Sequence, residues 1–595
     1  MNGELYSVCF PKDEAQLRVT IKTYLPAALC ALTLIVCYFM IQPFAEIGII
    51  DDWSYIKTAQ IFAQTGHVVY NGWAKPMLGW QLFLGALFIK LFGFSFTTVR
   101  LGGVVVDIAT AFLVQRTLVR SGIGQWNASL ATLTFVLSPF YLPFAFTYMT
   151  DVFGVFSIVL CIYLCLRALQ AEAQSSAAAW ISLAALSNAA GGTARQVAWL
   201  GLMVMVPSTL WLLRQKPRVL LVGGLFWAVS IGFVAAVMHW YNHQLYSVYE
   251  PLMPDAIDVR WARTLGECAV SGIVTLLILQ LPVLLMFVGA LRKQSRRVVV
   301  MFVAACICSV LLASILSRLS RHGEFSHVAL YLVKPQLDSG FLAFNWDGIL
   351  GNSPAIPHYR LIALLLSLIA IIGFVGLLTV LSADLPTRSS SSGRAAPISW
   401  FELGVVLGPF TVAYFALLAV RIESSYLNRY LVPLLMISLL ALTRYYQETV
   451  RSRVPIASGF LVLAFGALAV AVTHDEFAEF RGILAATQEI RSTGVPATAI
   501  MGGPQYDGWT QITEAGYVNN RKIRTPSGTY VPPPDRVFRV NCDASFLDSA
   551  PRINPLYALS FDPASCSGQA GFAPVSYRRW LSHQPTFIYI VKFPA

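Results

Sequence analysis

Residues 50–80 read IDDWSYIKTAQIFAQTGHVVYNGWAKPMLGW, and they directly follow the first long apolar run of the chain. The stretch carries an acidic pair, Asp51-Asp52, and a later Lys75-Pro76. The sequence around it is greasy: 56% of the 595 residues are hydrophobic and only 12% are charged, with a mean hydropathy of +0.63. Soluble domains carry roughly 25% charged residues. The chain therefore reads as a mainly α, polytopic membrane protein. Two carboxylates beside a bilayer are costly to desolvate, and they mark a candidate site.

Working outward, apolar runs approach the ~20 residues that cross hydrocarbon. They predict about thirteen transmembrane helices, near 24–43, 97–118, 127–146, 152–170, 178–191, 196–213, 219–239, 269–290, 298–317, 359–382, 399–420, 425–443 and 454–472. The run 77–93 is left out because of the distribution of cations. With residues 1–23 in the cytoplasm and 77–93 lying in the interface, short basic loops at Arg116 and Arg120, Arg214 to Arg218, Arg292 to Arg297 and Arg444 to Arg453 all face the cytoplasm, as the positive-inside rule requires. If 77–93 spanned, all of them would face outward. The long connections 44–96, 240–268 and 318–358 then lie outside. The last is glycine- and proline-rich and reads as a mobile lid. The region 24–472 is one membrane domain.

The tail 473–595 changes regime and reads as a small extracytoplasmic α/β domain. It offers an amphipathic helix at 475–491, a short strand at 497–501 and an alternating run at 586–593. Met501-Gly502-Gly503-Pro504 is too short for a phosphate loop and reads as a turn. Cys542 and Cys566, alone among ten cysteines, lie in this polar region, and an oxidising compartment predicts a disulfide between them. The formal net charge of +12 sits largely in loops between apolar runs, which excludes a basic stripe for nucleic acid.

Candidate site residues gather on the outer face. Asp51 and Asp52 precede a helix, and the plain alternative is an N-cap. Asp151, in PFAFTYMTDVFGVF, recurs on the same face where the third span gives way to the fourth. Carboxylates meeting there suit acid–base work or cation binding. Lys75, in GWAKPMLGW, reads as an interfacial lysine or a phosphate contact. Arg195, in GGTARQVAW, and Arg429, in SYLNRYLVP, face outward against the usual bias, which favours an anionic partner. No histidine has ligand spacing. A divalent metal between Asp51 and Asp151 stays open.

The order of these elements carries a resemblance. Asp51-Asp52-Trp53-Ser54-Tyr55 is followed by Lys75-Pro76-Met77-Leu78-Gly79-Trp80, by Phe92-Gly93-Phe94-Ser95 with Arg100, and by Thr150-Asp151. Arg429-Tyr430-Leu431 with Pro433 adds a weaker echo. Over roughly 24–200 the chain resembles the C-type membrane glycosyltransferases, nearest the protein O-mannosyltransferases and the lipid A aminoarabinose transferases. It departs from them in having Asp52 where Glu is frequent and Met77 where a second proline stands.

The resemblance implies an integral protein of the bacterial inner membrane that moves a sugar, with inversion, from a polyprenyl-phosphate donor to an acceptor hydroxyl of an envelope glycan, lipid or protein. By position, Asp51 is the general base, and Asp52 and Asp151 orient the acceptor or assist. Lys75, Tyr55, Arg195 and Arg429 contact substrate, the cations offsetting phosphate charge, and the resemblance implies that no cofactor is required. Two rivals remain: a transporter or flippase of lipid-linked sugars, which should show repeats and broken helices, and a non-catalytic envelope-assembly subunit.

Overall fold

Apolar runs of this length must satisfy their backbone groups internally, and so they fold as helices. The structure, a computed structural model, describes residues 11–73, 79–249, 257–288, 295–320, 349–351, 359–382, 398–420, 428–450, 455–532, 542, 545–582 and 584–594. In chain order the α-helices are α1 (Pro11–Ile41), α2 (Asp52–Thr65), α3 (Trp80–Phe92), α4 (Phe96–Arg120), α5 (Gln125–Val136), α6 (Thr150–Gln170), α7 (Gln174–Ala194), α8 (Val206–Leu212) and α9 (Pro217–Asn242). They continue with α10 (Val259–Leu279), α11 (Leu281–Val288), α12 (Arg296–Ser320), α13 (Tyr359–Ser382), α14 (Trp400–Val420), α15 (Val432–Thr449), α16 (Ile456–Ser492) and α17 (Pro504–Ala515).

Six helices among the described residues are long and apolar enough to cross a membrane: Lys22–Ile41 within α1, then α4, α6, α9, α14 and α16. They coincide with six of the thirteen expected spans. α3 has 13 residues, about 20 Å at 1.5 Å per residue, which is too short for a ~30 Å hydrocarbon core. Four expected spans are interrupted. The run 127–146 stops at Val136 and turns through 137–143 into a 3-10 turn, Phe144–Phe146, because Pro139 cannot continue the ladder. The run 196–213 holds a 3-10 turn, a π turn at Gly201–Met205 and the short α8. The run 269–290 breaks at Gln280, whose side-chain amide donates to Ser438 Oγ at 2.7 Å. The run 425–443 becomes a 3-10 turn, Asn428–Leu431, leading into α15.

The last span and the expected amphipathic helix are a single helix. α16 has 37 residues with no proline inside, and so runs ~55 Å. Its second half carries a four-stranded sheet of β1 (Ile500–Met501), β2 (Tyr557–Ser560), β3 (Val575–Tyr577) and β4 (Thr586–Lys592), in the order β1-β2-β4-β3. β1 pairs parallel to β2, and the other pairs are antiparallel, with Ala558 opposite Val591 and Ser576 opposite Phe587. The alternation in β4 turns Ile588 and Ile590 inward, into the core shared with Phe477, Ile483 and Ile490 of α16. The turn Met501-Gly502-Gly503-Pro504 leads from β1 into α17, and the buried Asp507 carboxylate accepts the Gly502 N–H at 2.9 Å. Of the 318–358 loop, little beyond 349–351 is described. There Leu350 donates to Leu559 O and accepts from Phe561 N, so this end is docked against β2.

The tail covers residues 50–73. Gly508 of α17 lies against the Trp53 indole so closely that a Cβ would sit 2.6 Å from the ring. Lys57 Nζ donates to Thr513 Oγ1 at 3.2 Å and lies 4.6 Å from the Trp509 ring. Val518 N–H and Asn520 Nδ2 bond the carbonyls of Asn71 and Gly72.

Two predictions follow from this packing. Gly508→Ala should lower the melting free energy by about 1–3 kcal/mol through overpacking against Trp53, read by thermal unfolding in detergent; an unchanged melt would mean that α17 is not seated there. Cys542 and Cys566, 24 positions apart, form a disulfide with Cα atoms 4.7 Å apart. Non-reducing peptide mapping should recover the crosslinked pair, and Cys542→Ser should cost roughly 3 kcal/mol on the chain-entropy account.

Candidate active site

Asp51 and Asp52 are neighbours in sequence, and the fold gives them different surroundings. The Asp52 side chain is fully buried. It accepts from Ile49 N–H at 2.7 Å and from Arg100 through Nε at 2.7 Å and Nη2 at 3.3 Å. The remaining Arg100 donors reach the carbonyls of Ala45 and Ile47, each at 2.6 Å. A carboxylate and a guanidinium can share the interior only when both are satisfied in this way. The pair fastens loop 45–52 to the first turns of α4. The resemblance expected Asp52 to help orient the acceptor; the structure places it in this buried pair.

Asp51 stands outside the pair. It precedes α2, yet its side chain makes no capping bond. Instead Trp73 Nε1 donates to Asp51 Oδ1 at 2.9 Å, and Arg429 Nη2 lies 3.8 Å from Oδ2. Ile50, just before it, is held at φ +55°, a left-handed conformation that a β-branched residue rarely adopts. Such strain persists only where the surroundings fix it, and it collects at functional sites. Here the Asp52 bonds and the Trp73 indole hold the turn from either side.

Asp151 lies in the first turn of α6, where a carboxylate suits the helix dipole. Its Oδ1 meets Arg195 Nη2 at 3.0 Å and Arg429 Nε at 3.7 Å. Arg195 follows the end of α7 in an extended conformation, and its stem crosses α6 at Gly154, where a Cβ would sit 2.8 Å from it. Its Nη1 also donates to Thr150 Oγ1 at 3.4 Å. Both guanidiniums pack near the Tyr430 ring, at 5.3 and 5.7 Å. The 428–431 turn is pinned by the Tyr414 hydroxyl, which donates to Tyr430 O at 2.8 Å.

These groups meet at a small cavity of about 20 Å³. Asp151, Arg195, Arg429 and Tyr430 line its polar part, and Phe140, Phe144, Val155 and Ile158 contribute to its apolar wall. Asp51 is not in the lining; it reaches the cavity through Arg429. Tyr55 is buried beside Thr150, near Asp51, Arg195 and Asp151, and burial, followed by the Asp51 charge, pushes its hydroxyl above the ordinary tyrosine range. It stays a proton donor at neutral pH. Lys75 lies outside the described residues. Among the described residues no cluster of three or more His, Cys, Asp or Glu side chains occurs. The Arg429 guanidinium lies between Asp51 and Asp151.

The structure thus brings Asp51, Tyr55, Asp151, Arg195 and Arg429 together and sets Asp52 apart. Sequence reasoning quoted Arg100 without giving it a task and passed over Trp73. A buried arginine at the start of an apolar helix is a signal in itself.

Breaking a buried charge pair from one side costs 3–5 kcal/mol as a rule. Arg100→Gln should therefore melt lower by about that amount in detergent. Arg429→Gln should cost clearly less, because Asp151 keeps Arg195. Equal shifts would erase the distinction between the fastening pair and the working group.

No family model and no curated protein matches the chain. Among solved structures it is similar to the protein O-mannosyltransferase Pmt1–Pmt2 complex of S. cerevisiae bound to the sugar donor, at 16% identity and a TM-score of 0.31, over 37% of this chain and 34% of that one. It is also similar to ArnT from Cupriavidus metallidurans bound to undecaprenyl phosphate, at 12% identity and a TM-score of 0.38, over 78% and 72% of the two chains. A third is the archaeal oligosaccharyltransferase AglB from Archaeoglobus fulgidus, in complex with an inhibitory peptide and a dolichol-phosphate, at 13% identity and a TM-score of 0.39, over 79% and 58%. The chain thus spans about a third of the O-mannosyltransferase chain and under two thirds of AglB.

Proposed function

We propose that the chain is a membrane glycosyltransferase that moves a sugar from a polyprenyl-phosphate donor to an acceptor hydroxyl at the outer face of the bacterial inner membrane. The observation that carries this reading is the grouping of charged and apolar side chains around the cavity, which must widen to admit a donor. Two partly buried arginines and a carboxylate face an apolar wall, with a second carboxylate reached through Arg429. A lipid phosphate has the same two halves, an anion and a hydrocarbon tail.

In the reaction, the acceptor oxygen attacks the anomeric carbon while the bond from that carbon to the phosphate oxygen breaks, with inversion. Asp51 takes the hydroxyl proton. The electron pair leaves with the lipid phosphate, and Arg195, Arg429 and Lys75 offset its charge. A phosphate leaves readily, so no strong general acid is required. Asp151 holds Arg195 in place and faces the donor sugar, and Tyr55 offers a proton-donating hydroxyl beside both carboxylates. The acceptor is a hydroxyl of an envelope glycan, lipid or protein.

One observation favours the transporter rival: four apolar runs are interrupted. Three of these breaks, however, supply Phe140, Phe144, Val197, Arg429 and Tyr430 to the cavity, with Arg195 beside the second, so building the site accounts for them without a translocation pathway.

The test is sugar transfer by the purified full-length protein, with a polyprenyl-phosphate sugar as donor. General-base catalysis is worth about 10²–10⁴-fold, and Asp51→Asn should lower turnover by about that factor while the protein still inserts. Lys75→Ala should raise the donor KM as well as lower turnover, because the phosphate loses a cation in both the ground and transition states. If Asp51→Asn transfers sugar at close to the parental rate, Asp51 is not the base. Movement of the lipid-linked sugar across a bilayer without transfer would favour the transporter.

A further inference from the structure

The cavity holds two buried polar atoms that lack hydrogen bonds. Arg429 Nε and Asp151 Oδ2 have no hydrogen-bond partner among the described residues, and both side chains line the cavity. Buried donors and acceptors left unmade are costly and few in native proteins, so a pair of them in one cavity marks a place for a ligand.

Arg429 is also held unlike its neighbours. Arg100 makes four hydrogen bonds of 2.6–3.3 Å. Arg195 meets Asp151 at 3.0 Å and bonds Thr150. Arg429 has two long ion pairs, 3.8 Å to Asp51 and 3.7 Å to Asp151. It is attracted by both carboxylates and fastened by neither. A guanidinium fork matches two phosphate oxygens with short, charge-assisted bonds, which neither carboxylate gives it here.

We propose that Arg429 is an exchangeable clasp on Asp51: a lipid phosphate entering the cavity draws the guanidinium off the two carboxylates and so releases Asp51 for the acceptor. This rests on the reading of the site as one for a polyprenyl-phosphate donor. Asp51 and the phosphate compete for one cation, while Arg195 keeps Asp151 in place throughout. Binding is therefore ordered, donor before acceptor, and Asp51 is engaged by Arg429 whenever the cavity lacks a donor. Arg429 acts through Asp51 as a positioning residue, in addition to contacting the phosphate.

The experiment is a double-mutant cycle on the binding of undecaprenyl phosphate to the full-length protein in nanodiscs, read by calorimetry. Arg429→Gln should bind the lipid more weakly. Asp51→Asn should bind it more tightly than the parent, by about threefold or more, as contacting charges couple. In the Arg429→Gln background, Asp51→Asn should have no effect, which separates the clasp from a general gain on removing a negative charge. Where Arg429→Gln does not fold, Arg429→Lys replaces it, and the tightening by Asp51→Asn should then fall below its parental size. Unchanged affinity in Asp51→Asn, or equal tightening in both backgrounds, overturns the clasp and leaves the donor reading standing. A parent protein that binds no undecaprenyl phosphate overturns both.

Discussion

The bond on which the site depends is the buried contact between Asp52 and Arg100. Neither charge could remain in the interior alone, and together they use the donors and acceptors around them: Ile49 N–H, and the carbonyls of Ala45 and Ile47. The result is a fixed loop. Once residues 45–52 are held on α4, Ile50 has no freedom to relax from φ +55°, Asp51 is turned toward Trp73 and Arg429, and Trp53 is driven into the core beneath α17. An acidic pair that looks redundant in sequence divides into one residue that holds the turn and one that the turn presents.

The rest of the site is assembled from segments distant in the chain. Thr150 and Asp151 open α6, Arg195 follows α7, and Arg429 lies in the 3-10 turn before α15. Each lies where a helix begins or ends, which is where backbone polar groups are unpaired and charged side chains find company. Asp51 and Asp151 balance Arg195 and Arg429, two charges against two. The cluster can therefore sit among Phe140, Phe144 and Val155 without carrying a net charge into an apolar surround.

Much of this was legible in the sequence, and the limits have physical reasons. Asp51, Asp151, Arg195 and Arg429 were placed on one face by counting apolar runs and cations, which works because hydrocarbon forbids most alternatives. The alternating run at 586–593 was legible because β4 is buried on one side. Which aspartate is buried was not legible, since Arg100 reaches Asp52 across 48 positions and no local pattern encodes that. The interruption of 127–146 was missed because composition masks geometry: Ser138-Pro139 breaks a helix that remains apolar on both sides. The unbroken α16 was missed for the opposite reason. A change from apolar to amphipathic residues at 473–475 looks like a boundary, yet a helix crosses it freely when neither proline nor an unmet cap intervenes.

That unbroken helix ties the apolar bundle to the tail without a hinge. α16 has one end among the membrane helices and the other under the sheet, and Arg481 reaches the carbonyls of Gln42 and Phe44 partway along it. Membrane helices meet a thicker or thinner bilayer by changing tilt, and a helix without a hinge passes that tilt along its whole length. The sheet, α17 and the Gly508 contact on Trp53 lie at the far end. One continuous rod therefore joins the apolar helices to the sheet, and α17, which covers the turn carrying Asp51, packs on that sheet's first strand.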